Sequence, residues 1–167
     1  ITTLTTKNFL NKKVLVIGDV MLDTEIAGVV SRISPEAPVP IIHAQQEKSS
    51  LGGAALVSHN LKNLGAEPFP VGVLGKDNAA NEVRSLFTKL GISIASLISD
   101  EKRQTTEKRR YFGNEQQMIR LDYESSAPIS AEIEEQVIVR VKELLPAMDV
   151  VVISDYGKGL CTASLVE

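Results

Sequence analysis

Leu51-Gly52-Gly53-Ala54-Ala55-Leu56-Val57-Ser58-His59-Asn60-Leu61-Lys62-Asn63-Leu64-Gly65 opens on a glycine pair and closes on a third glycine. Between them Ala54, Val57, Leu61 and Leu64 recur at the spacing of one helical face, which predicts a helix. Gly65 is placed to stop it. The glycine pair lets another group approach the backbone, and the unpaired N–H groups of a first helical turn favour an oxygen-rich or anionic ligand. The same pattern also suits an ordinary loop-to-helix junction. Leu56 is out of phase with the apolar face and falls beside Asn60 and Asn63. A large apolar residue there is either a second packing surface or part of a pocket wall.

Upstream, Lys12-Lys13-Val14-Leu15-Val16-Ile17-Gly18-Asp19 predicts a buried strand, because its apolar run does not alternate. A short helix over residues 5–10 leads into it. A strand ending in Gly-Asp suits the carboxyl edge of a parallel sheet, where α/β proteins place ligands. Asp23 follows four residues later. The two carboxylates could share a site, and a turn or cap role suits either one equally. Residues 24–46 differ in texture, with Pro35, Pro38 and Pro40 inside six residues. Proline cannot donate to a sheet ladder. The β-branched flanks at 25–30 and 39–44 predict two short strands outside the main layer, joined by a proline-stiffened loop. Such an excursion is placed to be a lid or an oligomer contact.

Downstream, residues 69–75 predict a second strand, Lys76-Asp77-Asn78 a turn and N-cap, and Ala79, Val83, Leu86, Phe87 and Leu90 a helix face. Residues 92–98 are a third strand candidate. Residues 105–112 and 118–123 predict an antiparallel hairpin about Gly113-Asn114, with a polar tip at 114–117. Ser130 begins a helix whose stripe is Ile133, Val137, Val141 and Leu144, with acids early and Arg140 and Lys142 late. Residues 149–155 predict another buried strand, and residues 161–167 could begin a further helix. The fold class is α/β: a mostly parallel sheet flanked by helices. No crossover helix is completed after the last strand, so the sheet is expected to be incomplete on its C-terminal side.

The 167 residues suffice for one domain with a proper core, and 43% hydrophobic with 23% charged residues is a soluble composition. A net charge of −3 gives no support to nucleic-acid binding. No apolar run is long enough to cross a bilayer, and residues 1–13 carry no export pattern, so a cytoplasmic location is expected. Cys161 is the single cysteine and is expected to be a packed small residue. His43 and His59 lack partners at metal spacing, so no metal site is expected.

Gly18-Asp19, Asp23, the proline segment, Gly52-Gly53 and Ser154-Asp155-Tyr156-Gly157-Lys158-Gly159, in this order, resemble the N-terminal half of a ribokinase-like (phosphofructokinase-B type) carbohydrate kinase. The resemblance spans roughly residues 12–160. Within the family, Ser31-Arg32-Ile33-Ser34-Pro35-Glu36-Ala37-Pro38-Val39-Pro40, Gln116-Gln117-Met118-Ile119-Arg120-Leu121-Asp122 and residues 154–159 resemble the branch acting on D-glycero-β-D-manno-heptose 7-phosphate. The resemblance implies a ribokinase-like fold with a small β-lid over about residues 24–46. It also implies transfer of the γ-phosphoryl of ATP, with Mg2+, to the anomeric hydroxyl, in ADP-heptose and lipopolysaccharide precursor biosynthesis.

The same resemblance assigns Asp23 to the sugar hydroxyls, which a carboxylate accepts well, and Gly52 and Gly53 to the backbone beneath the sugar. Arg120 and Lys158 become partners for the 7-phosphate, although a surface or sheet-edge cation is the competing reading for each. Asp155 joins the sugar side, and Arg32, Pro35 and Glu36 form the lid, through which a homodimer is expected. Leu56 departs from the family, which usually has asparagine there. Either the sugar pose differs, or Asn60 substitutes, or binding is weakened. The family's Gly-Ala-Gly-Asp motif, which supplies the catalytic base and anion hole, has no counterpart, since no Gly-x-Gly-Asp occurs in the sequence. No catalytic residue and no full ATP pocket are therefore expected within these residues, and the chain alone is expected to be inactive. Leu56 also keeps open a non-catalytic sugar-phosphate-binding or lid-mediated interaction module on the same fold.

Overall fold

In chain order the elements are β1 (Lys13–Gly18), β2 (Val20–Ile33), β3 (Pro40–Gly53), α1 (Ala54–Asn63), β4 (Glu67–Leu74), α2 (Asn78–Lys89), β5 (Leu97–Ser99), β6 (Thr106–Gly113), β7 (Gln116–Tyr123), α3 (Ala131–Leu144), β8 (Val150–Ser154) and α4 (Ala163–Val166). A single 3-10 turn, Thr6–Asn8, precedes them. The computed structural model describes residues 5–167.

The apolar run of β1 does not alternate because both of its faces are covered. Val14 and Val16 enter one hydrophobic layer with Ala54, Ala55 and Leu61 of α1 and Val83 and Phe87 of α2. Leu15 and Ile17 enter a second layer with Ile133 and Val137 of α3. The main sheet has the order β5-β4-β1-β8 and every pairing in it is parallel. It is the ribokinase-like α/β arrangement that the sequence implies.

A second sheet, order β3-β2-β6-β7, stands apart from the first. β2 pairs antiparallel with β3 and parallel with β6, and β7 returns antiparallel along β6. The two strands read as short are fourteen residues each. Their register shifts at Ala27/Gly28 and again at Val30/Arg32. Pro35 and Pro38 lie in the connecting loop and Pro40 is the first residue of β3, positions that ask no donor of a central ladder.

Three other expectations change. Of residues 92–98 only Leu97 and Ile98 are in a strand, which ends at Ser99. Ile92 instead donates its N–H to the Phe87 carbonyl (2.9 Å) and seals the end of α2. The buried face of α1 is Ala54, Ala55, Ser58 and Leu61. Ser58 fits that face because its hydroxyl bonds back to the Ala54 carbonyl (3.0 Å). Among the described residues β8 lies at the edge of the sheet, with Val150, Val151 and Ile153 exposed.

The two sheets are stitched at the carboxyl end of β1. Only Asp19 separates β1 from β2, and β3 runs straight into α1. The Asp19 N–H donates to the Ser154 carbonyl (3.1 Å), and its own carbonyl accepts the Ala54 N–H (2.9 Å). Gly53 sits at this junction with φ of 54°, and a Cβ there would collide with the Asp19 carbonyl. Only glycine meets both demands.

Candidate functional site

Asp19 is buried, and its carboxylate holds a loop in place. One oxygen accepts the N–H groups of Tyr156 (2.8 Å) and Lys158 (3.1 Å). Asp155, expected on the sugar side, is exposed and accepts the Gly157 N–H (2.8 Å), which shapes the same turn. From the other side Arg103 donates to the carbonyls of Lys158 (2.6 Å), Ser125 (3.4 Å) and Ala127. The loop after β8 is thus fixed by its N–H groups and by a carbonyl, where β1 and β8 end.

Facing this loop is one side of the second sheet. Asp23 of β2 lies opposite Lys108 of β6, which lies opposite Asp122 of β7. Two residues on, Arg110 lies opposite Arg120. Alternate residues of a strand share a face, so Asp23, Lys108, Arg110, Arg120 and Asp122 project from one surface. Arg110 Nη1 pairs with Asp23 Oδ1. The other carboxylate oxygen lies against Gly52, where any Cβ would collide with it. Asp23 and Gly52, expected to share a site, are therefore in contact, and Gly53 adjoins them.

The remaining cations are linked by carboxylates. Arg120 pairs with Asp122 through two nitrogens (2.8 and 2.9 Å). Lys108 reaches Asp122 (3.2 Å) and Glu124 (3.4 Å), and Lys158 reaches Glu124 (2.9 Å). Burial opposes the charge on Asp122, but Arg120 and Lys108 outweigh it and hold its carboxyl below the ordinary range. Glu124 is held low by the Lys158 ammonium, against some burial, with Lys108 adding to the effect. Ion pairs on this face join four cations (Lys108, Arg110, Arg120, Lys158) to three carboxylates (Asp23, Asp122, Glu124).

Other expected residues take no part in these ion pairs. Leu56 (44% exposed) and Asn60 sit together on the outward side of α1. Arg32, Pro35 and Glu36 are exposed at the far end of the β2–β3 hairpin. Nine residues of strand separate Asp23 from Arg32, about 30 Å at the usual rise, so one chain does not bring them together. A concavity of about 860 Å3, lined by Glu25, Ala27, Val29, Gln46 and Phe112 among others, lies along that hairpin. The Asp23 surface is the better candidate for chemistry despite this larger hollow, because the converging charges are there. His43 and His59 join no group of metal-ligating side chains among the described residues. Burial, with Asp155 and Asp19 adding to it, pushes the Cys161 thiol up to about 11, as suits a packed residue.

Sequence reasoning missed Lys108, Arg110 and Glu124. The signal was the alternation in Thr106-Glu107-Lys108-Arg109-Arg110, which puts Lys108 and Arg110 on one face of a strand. Nothing in the sequence said that this face meets Asp23.

The model of the pfkB family carbohydrate kinases matches residues 11–167. A curated relative from Desulfatibacillum aliphaticivorans, named bifunctional protein HldE, is 43% identical over 159 residues, covering 95% of this chain and 32% of its own length. The chain thus spans about a third of that relative. Among solved structures, a carbohydrate kinase from Agrobacterium tumefaciens superposes with a TM-score of 0.65 at 20% identity, over 85% of this chain and 45% of that one. The Arabidopsis thaliana ribokinase complexed with ribose and ATP gives 0.56 at 15% identity, over 86% and 45%. These two likenesses concern the fold.

Proposed function

The chain belongs to the pfkB family of carbohydrate kinases, and from that premise we propose that it forms the sugar-phosphate-binding part of a D-glycero-β-D-manno-heptose 7-phosphate kinase. In the complete enzyme the γ-phosphoryl of ATP goes to the anomeric hydroxyl of this sugar, a step toward ADP-heptose and lipopolysaccharide precursors. The observation that carries the reading is the Asp23 surface. A carboxylate seated against Gly52 offers acceptors to sugar hydroxyls, and the same face presents Lys108, Arg110, Arg120 and the nearby Lys158 to a phosphate. The 43% identity to a relative named HldE supports the heptose phosphate branch, which residues 31–40 and 116–122 resemble.

ATP, with Mg2+ as counter-ion, supplies the transferable phosphoryl group. No group of His, Cys, Asp and Glu among the described residues is arranged to hold a metal ion. We assign the sugar to these residues on the strength of the Asp23 surface. They bind the sugar through Asp23, orient it over the Gly52 and Gly53 backbone and grip its phosphate. No described helix is long and apolar enough to cross a membrane, and we place the enzyme in the cytoplasm. The long β2–β3 hairpin is proposed to act as a lid and to join two subunits, with Arg32, Pro35 and Glu36 at the contact.

Titration calorimetry with heptose 7-phosphate, fructose 6-phosphate and ribose tests the reading. Selective binding of heptose 7-phosphate is expected. Equal affinity for all three sugars, or none for the heptose phosphate, refutes it.

A further inference from the structure

Glu124 follows the last residue of β7, and its two carboxylate oxygens lie between two ammonium groups, Lys158 at 2.9 Å and Lys108 at 3.4 Å. All three side chains are sheltered, at 17% exposure for Lys158, 19% for Lys108 and 27% for Glu124. Shelter limits screening by salt. The backbone on either side is fixed by one residue. Arg103 binds the carbonyls of Ser125 and Ala127 just after Glu124 and the carbonyl of Lys158 itself. Gln104 adds a bond to the Glu124 carbonyl (3.3 Å). Glu124 and Lys158 are therefore held at a set separation, and their pairing is more than a chance meeting of surface side chains.

We propose that Glu124 is a specificity residue: an internal competitor for the phosphate group that Lys108 and Lys158 can hold, admitting phosphate that is tethered to the sugar and rejecting the free anion. This rests on the reading of the Asp23 surface as a sugar-phosphate site. The charge balance carries it. All four cations there are already paired with carboxylates, which leaves little unpaired charge to draw in a free dianion. A phosphate competes with the Glu124 carboxylate for both ammoniums, and the ion pairs it weakens offset those it makes. Sugar hydroxyls bound at Asp23 and Gly52 supply the missing affinity, because tethering makes the phosphate contact intramolecular. Glu124 is ionised at neutral pH, since Lys158 and Lys108 hold its carboxyl low. Arg103 serves as a positioning residue for this competition.

Glu124→Gln keeps the size and removes the charge. In the full-length protein it should bind inorganic phosphate about tenfold more tightly than the parent, the scale of one charge-assisted hydrogen bond. Isothermal titration calorimetry with inorganic phosphate reads this directly. The ratio of heptose 7-phosphate to phosphate affinity should fall at the same time. Adding Lys158→Met to Glu124→Gln should abolish the gain. Phosphate affinity within twofold of the parent, or a gain that survives Lys158→Met, overturns the proposal. Glu124→Asp keeps the charge but cannot span both ammoniums, so a smaller gain is expected; it decides the matter if the Gln variant does not fold, and no gain counts against the proposal. Failure of the parent to bind heptose 7-phosphate sinks the sugar-phosphate reading by itself, while the comparison with inorganic phosphate still decides the role of Glu124.

Discussion

Asp23 shows how one side chain can carry several constraints. Its carboxylate pairs with Arg110 through one oxygen and rests against Gly52 with the other. Asp23→Asn keeps the shape and loses the charged acceptor, so sugar affinity should fall by about 1.5–3 kcal/mol. The fold should lose less than the sugar site does, because asparagine still offers Arg110 an amide oxygen. Calorimetry beside thermal unfolding separates the two effects, and unchanged binding removes Asp23 from the sugar site. Leu56→Asn adds an amide three residues after the Gly52-Gly53 pair and should tighten the sugar. An unchanged affinity would place Leu56 outside the pocket, as its position on the outward side of α1 allows.

Among the elements, α2 has the most telling start. Asp77 caps it by accepting the Ala80 N–H (2.8 Å) and also accepts the Thr105 N–H (2.8 Å), tying the helix to the chain entering β6. Burial works against the Asp77 charge, but these two N–H groups and the Thr105 hydroxyl outweigh it and hold the carboxyl below its ordinary value. Asp77→Ala should cost about 1–2 kcal/mol, the usual range for a lost N-cap. The folded value lies below the unfolded one, so the contribution is fully present above about pH 4 and is lost as pH falls through the folded value. Urea denaturation at pH 7 should separate parent from Asp77→Asn. The gap should narrow as pH falls below about 4, and a gap constant with pH would rule out the ionised cap.

For the molecule as a whole, the edge of the main sheet is the exposed feature. Among the described residues β8 pairs with β1 and leaves Val150, Val151 and Ile153 open, at 49%, 42% and 49%. A hydrophobic edge strand templates pairing with another chain. The 167-residue chain should therefore self-associate with concentration in sedimentation velocity, and Val151→Lys should suppress this without lowering the melting temperature. Association that the lysine leaves untouched would have to come from elsewhere, with the β2–β3 hairpin the first suspect.

The sequence by itself determined the parallel α/β layer, because burial on both faces shows directly as the unbroken run Val14-Leu15-Val16-Ile17 and the helical period shows as Ile133, Val137 and Val141. It also placed Asp23 beside Gly52 through a resemblance of ordered motifs, and the prolines marked the loop and strand edge of the hairpin. Only the tertiary structure decided the length of that hairpin, the exposure of β8 and the partners of Asp23. Strand length and edge exposure depend on which neighbours a strand finds, and β2 finds β6 across more than seventy residues of chain. The same pairing puts Arg110 on Asp23, and the return of β7 sets Glu124 between Lys108 and Lys158. Charge networks of this kind are written in the register between strands, which no local pattern of residues encodes.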